Sequence, residues 1–60
     1  MNKKLREMRL RTGKTQAQLA REVGITERGY QRYEAGERVP SVATAKMIAR
    51  ALNSTVEELF

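Results

Sequence analysis

Apolar residues in this chain recur at three- and four-residue intervals and never alternate, so the pattern predicts helices and no strand. Glycine, proline and hydroxyl-bearing residues divide it into five segments. The first, near residues 2–12, carries Leu5 and Met8 at i, i+3 and stops at Thr12-Gly13, where glycine suits a left-handed helix end. The second starts at Thr15. There Thr15-Gln16-Ala17-Gln18 fits a capping box: the threonine hydroxyl takes an orphan amide and the glutamine reaches back. Leu19, Ala20 and Val23 make its apolar face, and Gly24 ends it.

The third segment opens on Thr26 as N-cap and runs to Ala35-Gly36. After the linker Gly36-Glu37-Arg38-Val39-Pro40, a fourth begins past Ser41 and continues to about Asn53, with Val42, Ala45, Ile48, Ala49 and Leu52 on one side. The fifth is a turn or two from Thr55, where Thr55-Val56-Glu57-Glu58 repeats the capping-box pattern and Leu59 points inward.

Only Gly24, Ile25 and the cap Thr26 separate the second and third helices, so the two must cross steeply. A steep, close crossing needs a small residue where the backbones meet, and Ala20 is placed for it. Gly24 supplies the sharp turn. Leu19, Val23, Ile25, Tyr30 and Tyr33 then close one wedge of core, which is the physical content of a helix-turn-helix.

Composition narrows the chemistry. Sixty residues make one small domain, residues 1–60, which buries about 60% of its unfolded surface. The chain has no cysteine and no histidine, which excludes disulfides, thiolate zinc sites and Cys–His or Ser–His nucleophiles; no metal, cofactor or small-molecule site is expected. Aspartate is absent too, and no glycine loop fits a phosphate cradle, so an enzyme is the weakest class. No apolar run suits a membrane span, the basic first residues have no apolar stretch behind them and are not expected to be a secretory signal, and a cytoplasmic location is expected. The net charge of +5 points to an anionic partner. All of that excess lies in residues 1–14, where Lys3, Lys4, Arg6, Arg9, Arg11 and Lys14 face Glu7 alone.

At about 100° per residue, Tyr30 and Tyr33 share one side of the third helix, and Glu27, Arg28, Gln31 and Arg32 fall on the opposite arc. An ordinary solvated face would look similar. Yet these long side chains with planar hydrogen-bonding heads are the set that reads a major groove, with Arg on guanine, Gln on adenine and Glu accepting from the cytosine amino group. Glu27 either accepts from a cytosine or braces Arg28 or Arg32. Gln16, at the N-terminus of the second helix, sits where exposed amides favour an anion. Lys14, Thr15 and Arg38 flank the same surface as candidate phosphate contacts, and Ser41 serves as cap, phosphate contact or both. Gly29 interrupts a helix at a cost of about 1 kcal/mol against alanine, so close approach to a phosphate, to a neighbouring helix, or simple looseness is expected there.

From Gln16 to Arg38 the chain resembles the phage-repressor type of helix-turn-helix, the family of the lambda repressor and Cro, often called XRE. The residues that carry the resemblance are Leu5-x-x-Met8-Arg9, Gly13-x-Thr15-Gln16-x-x-Leu19-Ala20, Gly24-Ile25-Thr26, Glu34-x-Gly36-x-Arg38-x-Pro40-Ser41 and Ile48-Ala49-x-x-Leu52. The resemblance implies an all-α, five-helix bundle that binds double-stranded DNA sequence-specifically as a transcriptional regulator of the repressor kind, with the third helix, about residues 27–35, in the major groove. It carries base contact onto Glu27, Arg28 and Arg32, with Gln31 beside them, and backbone contact onto Gln16. It implies an ion pair between Arg9 and Glu34. It also implies a homodimer on a two-fold operator, its recognition helices about 34 Å apart. Candidate dimer contacts are Met47, Ala51 and Phe60. The alternative is a protein-interaction or antitoxin module built on the same fold.

Overall fold

A computed structural model describes all sixty residues and contains five helices and no strand. They are α1 (Lys3–Arg11), α2 (Gln16–Val23), α3 (Glu27–Ala35), α4 (Val42–Ala51) and α5 (Val56–Leu59). Each begins where the sequence offers a capping oxygen. Asn2 Oδ1 accepts from the Leu5 amide at 3.0 Å, and the Thr26 and Ser41 hydroxyls accept from Gly29 and Thr44 at 3.0 and 3.2 Å. The capping box at Thr15 is complete: its hydroxyl accepts from the Gln18 amide and its own amide donates to Gln18 Oε1. The pattern at Thr55 is only half realised. Thr55 accepts from the Glu58 amide, but the Glu58 carboxylate turns to the Ser54 hydroxyl at 3.2 Å.

The helix ends also repeat one device. Gly24 adopts φ +83°, and the Ala20 carbonyl accepts from both Gly24 and Ile25, which turns the chain sharply into α3. At the end of α4 the same left-handed step is taken by Asn53, φ +54°, so that helix stops at Ala51, two residues before the expected point.

The core is one cluster centred on Leu5, Leu19, Tyr30, Ile48 and Leu52, fully buried side chains from α1 to α4 and the residue capping it. Fully burying each aliphatic member stabilises by about 1.5–3 kcal/mol. Ala20, 1% exposed, is a small buried residue of α2, which packs against both α3 and α4. Leu59 closes the base from α5, with Met8, Ile25, Tyr33, Ala51 and Val56 packed around the edge. Val42 departs from expectation: it lies on the apolar side of α4 by periodicity but is 70% exposed. It is the first residue of that helix, with exposed Ser41 and Ala43 on either side, and no other element reaches past it.

The two ends of the chain hold each other. The Asn2 amide donates to the Glu34 carbonyl at 2.8 Å and Asn2 Nδ2 donates to the Leu59 carbonyl at 2.7 Å. Met1 then lies against Gly36, where an added Cβ would come within 3.1 Å of the Met1 nitrogen and where φ is +78°. The left-handed backbone favours glycine at that position, and a Cβ there would also press on Met1.

Candidate nucleic-acid interface

The orientation of α3 is decided by its tyrosines. Tyr30 is completely buried and Tyr33 half-buried at the edge of the core, which turns Glu27, Arg28, Gln31 and Arg32 outward, all exposed. Neither Arg28 nor Arg32 makes an ion pair, and no side-chain hydrogen bond holds either of them. Two guanidinium groups thus stand on one helix face with every donor available to a partner. Ala35 continues the same face and adds no bulk.

Glu27 does not brace an arginine. Its Oε2 accepts from Gln31 Nε2 at 3.4 Å, one helical turn along, so the acid is coupled to the glutamine of the arc. An i, i+4 pair of this kind is readable from spacing, and considering arginine partners alone misses it. Gly29 packs against no neighbouring helix. The only atom an added Cβ would approach is the Thr26 hydroxyl, at 3.0 Å, so its surroundings are the helix cap and open space.

Behind this face lies a polar knot. Arg9 Nε and Nη2 donate to the two Glu34 oxygens at 2.7 and 3.1 Å, and Arg9 Nη1 donates to the Lys14 carbonyl at 2.9 Å. Both residues are buried. Burial alone would push the Glu34 carboxyl up, but the Arg9 guanidinium and its other donors outweigh that and hold it below the ordinary value. Arg9 is correspondingly held even more firmly protonated by Glu34. The Tyr30 hydroxyl is buried beside the pair without an aligned hydrogen-bond partner, and burial, reinforced by the Glu34 charge, raises its pKa far above the usual tyrosine range.

Gln16, the first residue of α2, joins this knot: its Nε2 donates to Glu34 Oε1 at 3.3 Å. A carboxamide nitrogen carries two N–H groups, so one remains for a phosphate oxygen. Thr15 and Ser41 spend their hydroxyls as caps and remain exposed, and Ser41 also donates to Thr44 Oγ1 at 3.2 Å. Arg38 is exposed in the loop after α3.

Lys14 has partners of its own within the chain. Its Nζ donates to the Ala51 carbonyl at 2.9 Å and pairs with Glu22 at 2.8 Å, which ties the loop before α2 to the C-terminal end of α4. A cation is favoured at a helix C-terminus, where carbonyls lack partners, and that attraction holds the ammonium against α4 although Lys14 shares a hollow with Thr15 and Gln16. Sequence inspection had no signal for it, because Ala51 is 37 residues away.

The candidate dimer residues do not share one hollow. Phe60 lines a groove of about 540 Å³ with Met1, Tyr33 and Val39, whereas Met47 and Ala51 lie outside it. Met47 is exposed and Ala51 packs against the core.

An all-helical bundle with an α2–glycine turn–α3 unit, whose second helix turns a charged face outward, defines the helix-turn-helix class. The family described as helix-turn-helix matches residues 5–59, and the chain belongs to it, in the phage-repressor type that its motifs resemble. Among curated proteins, the chain is 39% identical over 59 residues to the cryptic phage CTXphi transcriptional repressor RstR of Vibrio cholerae, covering 98% of this chain and 53% of that protein. It is 38% identical over 60 residues to an HTH-type transcriptional regulator of Archaeoglobus fulgidus, covering all of this chain and 86% of the relative. For the HTH-type transcriptional regulator YgzD of Bacillus subtilis the identity is 35%, covering all of this chain and 91% of the relative. The chain thus spans about half the length of the Vibrio repressor and most of the other two. No solved structure gives a match of comparable significance.

Proposed function

We propose that this domain is a repressor-type transcriptional regulator that reads double-stranded DNA by placing α3 in the major groove. The observation that carries the reading is the unpaired state of Arg28 and Arg32 on the outward face of α3, with Tyr30 locked in the core behind them. A guanidinium with all its donors available matches the O6/N7 edge of guanine. The second nitrogen hydrogen of Gln16, the Thr15 and Ser41 helix starts and the Arg38 side chain act as phosphate contacts that set register without reading sequence. The similarity to a phage transcriptional repressor and to two HTH-type transcriptional regulators supports this reading. Two copies bind a two-fold site, their α3 helices about 34 Å apart, with contacts drawn from Met47, Ala51 and Phe60.

Selection of bound duplexes from a random pool, followed by titration at several salt concentrations, tests this. One enriched, two-fold half-site and an affinity that falls steeply with salt are expected. Arg28→Ala should cost about 1–3 kcal/mol on the selected duplex and relax one base position, whereas Arg38→Ala should weaken all duplexes alike. Failure to enrich any sequence would overturn the proposal.

A further inference from the structure

Three cations lie near Gln16, and two of them are engaged within the chain. Arg9 directs its three nitrogens to Glu34 and the Lys14 carbonyl, and Lys14 directs its ammonium to the Ala51 carbonyl and Glu22. Arg6 of α1 is the third. It is exposed, belongs to neither ion pair of the chain, and its guanidinium donates to no group within it. The hollow of about 210 Å³ that Arg6 lines is walled by Gln16 at the start of α2, by Gln31 and Ala35 on the outward face of α3, by buried Glu34 and by Met1. A liquid water occupies about 30 Å³, so the space admits a group of several heavy atoms.

Glu34 does not make this hollow acidic. Both of its oxygens accept from Arg9, one of them also from Gln16, and the charges of the buried pair cancel. Arg6 therefore leaves the hollow positive. Two donors border it: the guanidinium fork of Arg6 and the N–H that Gln16 does not give to Glu34.

With the outward face of α3 in the groove, Arg28 and Arg32 meet base edges. The hollow lies at the flank of that face, against α1 and α2. A group at the flank of an inserted helix meets the groove wall, which is sugar and phosphate, so it positions the protein and reads no sequence. A guanidinium matches phosphate oxygens with two parallel N–H bonds. From this placement, and resting on the DNA-reading function proposed above, we infer that Arg6 and Gln16 together clasp one backbone phosphate in this hollow. Arg6 supplies the positive charge there, because Lys14 is tied to α4 and Arg9 to Glu34.

The test uses the duplex that the wild-type chain selects, rebuilt as a set in which one backbone phosphate at a time is an uncharged methylphosphonate. Wild type, Arg6→Gln, Gln16→Ala and Arg11→Gln are titrated against the whole set, each first checked for helix content and melting. Arg11 is the control, exposed on the same helix but lining none of the hollows. On the unmodified duplex Arg6→Gln should bind roughly tenfold more weakly than wild type, as the loss of a charge-assisted contact implies. Its salt slope should fall by about one, with base preferences unchanged. Arg11→Gln should change affinity by about twofold or less, because screened charge acts weakly at a distance. Neutralising one particular phosphate should weaken the wild type roughly tenfold, have little further effect on Arg6→Gln and a reduced effect on Gln16→Ala. An Arg6→Gln variant no weaker than Arg11→Gln, or as sensitive as the wild type at every phosphate, overturns this inference and leaves DNA reading intact. Loss of sensitivity at different phosphates in Arg6→Gln and Gln16→Ala overturns the shared clasp. No duplex enriched by the wild type overturns the DNA-reading function itself, and this inference with it.

Discussion

Glu34 is the residue on which three helices converge. Its two oxygens accept from Arg9 of α1 and Gln16 of α2, while its own backbone carbonyl accepts from Asn2. Because the folded state holds this carboxyl below its ordinary pKa, its contribution to stability is fully present above the unfolded value, about 4.3, and is lost as pH falls through the lower, folded value. Urea midpoints measured from pH 7 down to pH 2 should therefore decline in the acid range. Glu34→Gln removes one partner of a buried pair and should destabilise by about 3–5 kcal/mol at pH 7. The gap between variant and wild type should narrow as pH falls below about 4, where the wild type loses the same charge. A gap independent of pH would show that the carboxylate charge contributes nothing. The ion pair itself was legible in the sequence only through the resemblance to phage repressors, since Arg9 and Glu34 are 25 residues apart and no local rule joins them.

At the scale of elements, starts and stops were readable because they are local. A hydroxyl that accepts from an amide three residues on, or a glycine in the left-handed region, acts within one turn. The exceptions have physical causes. Glu58 accepts from the Ser54 hydroxyl instead of the Thr55 amide, and Asn53 ended α4 earlier than the apolar pattern did. Lys14 shows what spacing cannot reveal, a tether between the α1–α2 loop and the last carbonyls of α4. Its ion pair with Glu22 is partly solvated and worth little alone. Lys14→Ala should lower the melting temperature by a few degrees, consistent with a loss on the order of 1 kcal/mol. It should leave the salt slope of DNA binding as it was; a slope reduced by about one would mean that the lysine reaches phosphate after all.

For the whole molecule, the charge excess of residues 1–14 is not bound up in one place. Arg9 is neutralised by Glu34 and Lys14 by Glu22, while Lys3, Lys4, Arg6 and Arg11 remain exposed. Arg6 also lines, with Gln16, Gln31 and Ala35, a small hollow of about 210 Å³ beside the outward face of α3. Positive charge there steers a polyanion towards the face without discriminating bases. Replacing Lys3, Lys4 and Arg6 together by glutamine should slow association at low salt by tenfold or so and leave the selected sequence unchanged, as stopped-flow binding at two ionic strengths would show.

Helix periodicity, capping oxygens and turn glycines each act over a few residues, and for that reason the amino-acid order alone determined the five helices, the inward side of Tyr30 and the outward arc from Glu27 to Arg32. Long-range partners were decided by the packed chain: Lys14 on Ala51, Gln16 on Glu34, Asn2 on Leu59 and the solvent exposure of Val42. Each of these depends on which surfaces the packing of the five helices brings together or, at Val42, leaves uncovered, and only the folded molecule sets that.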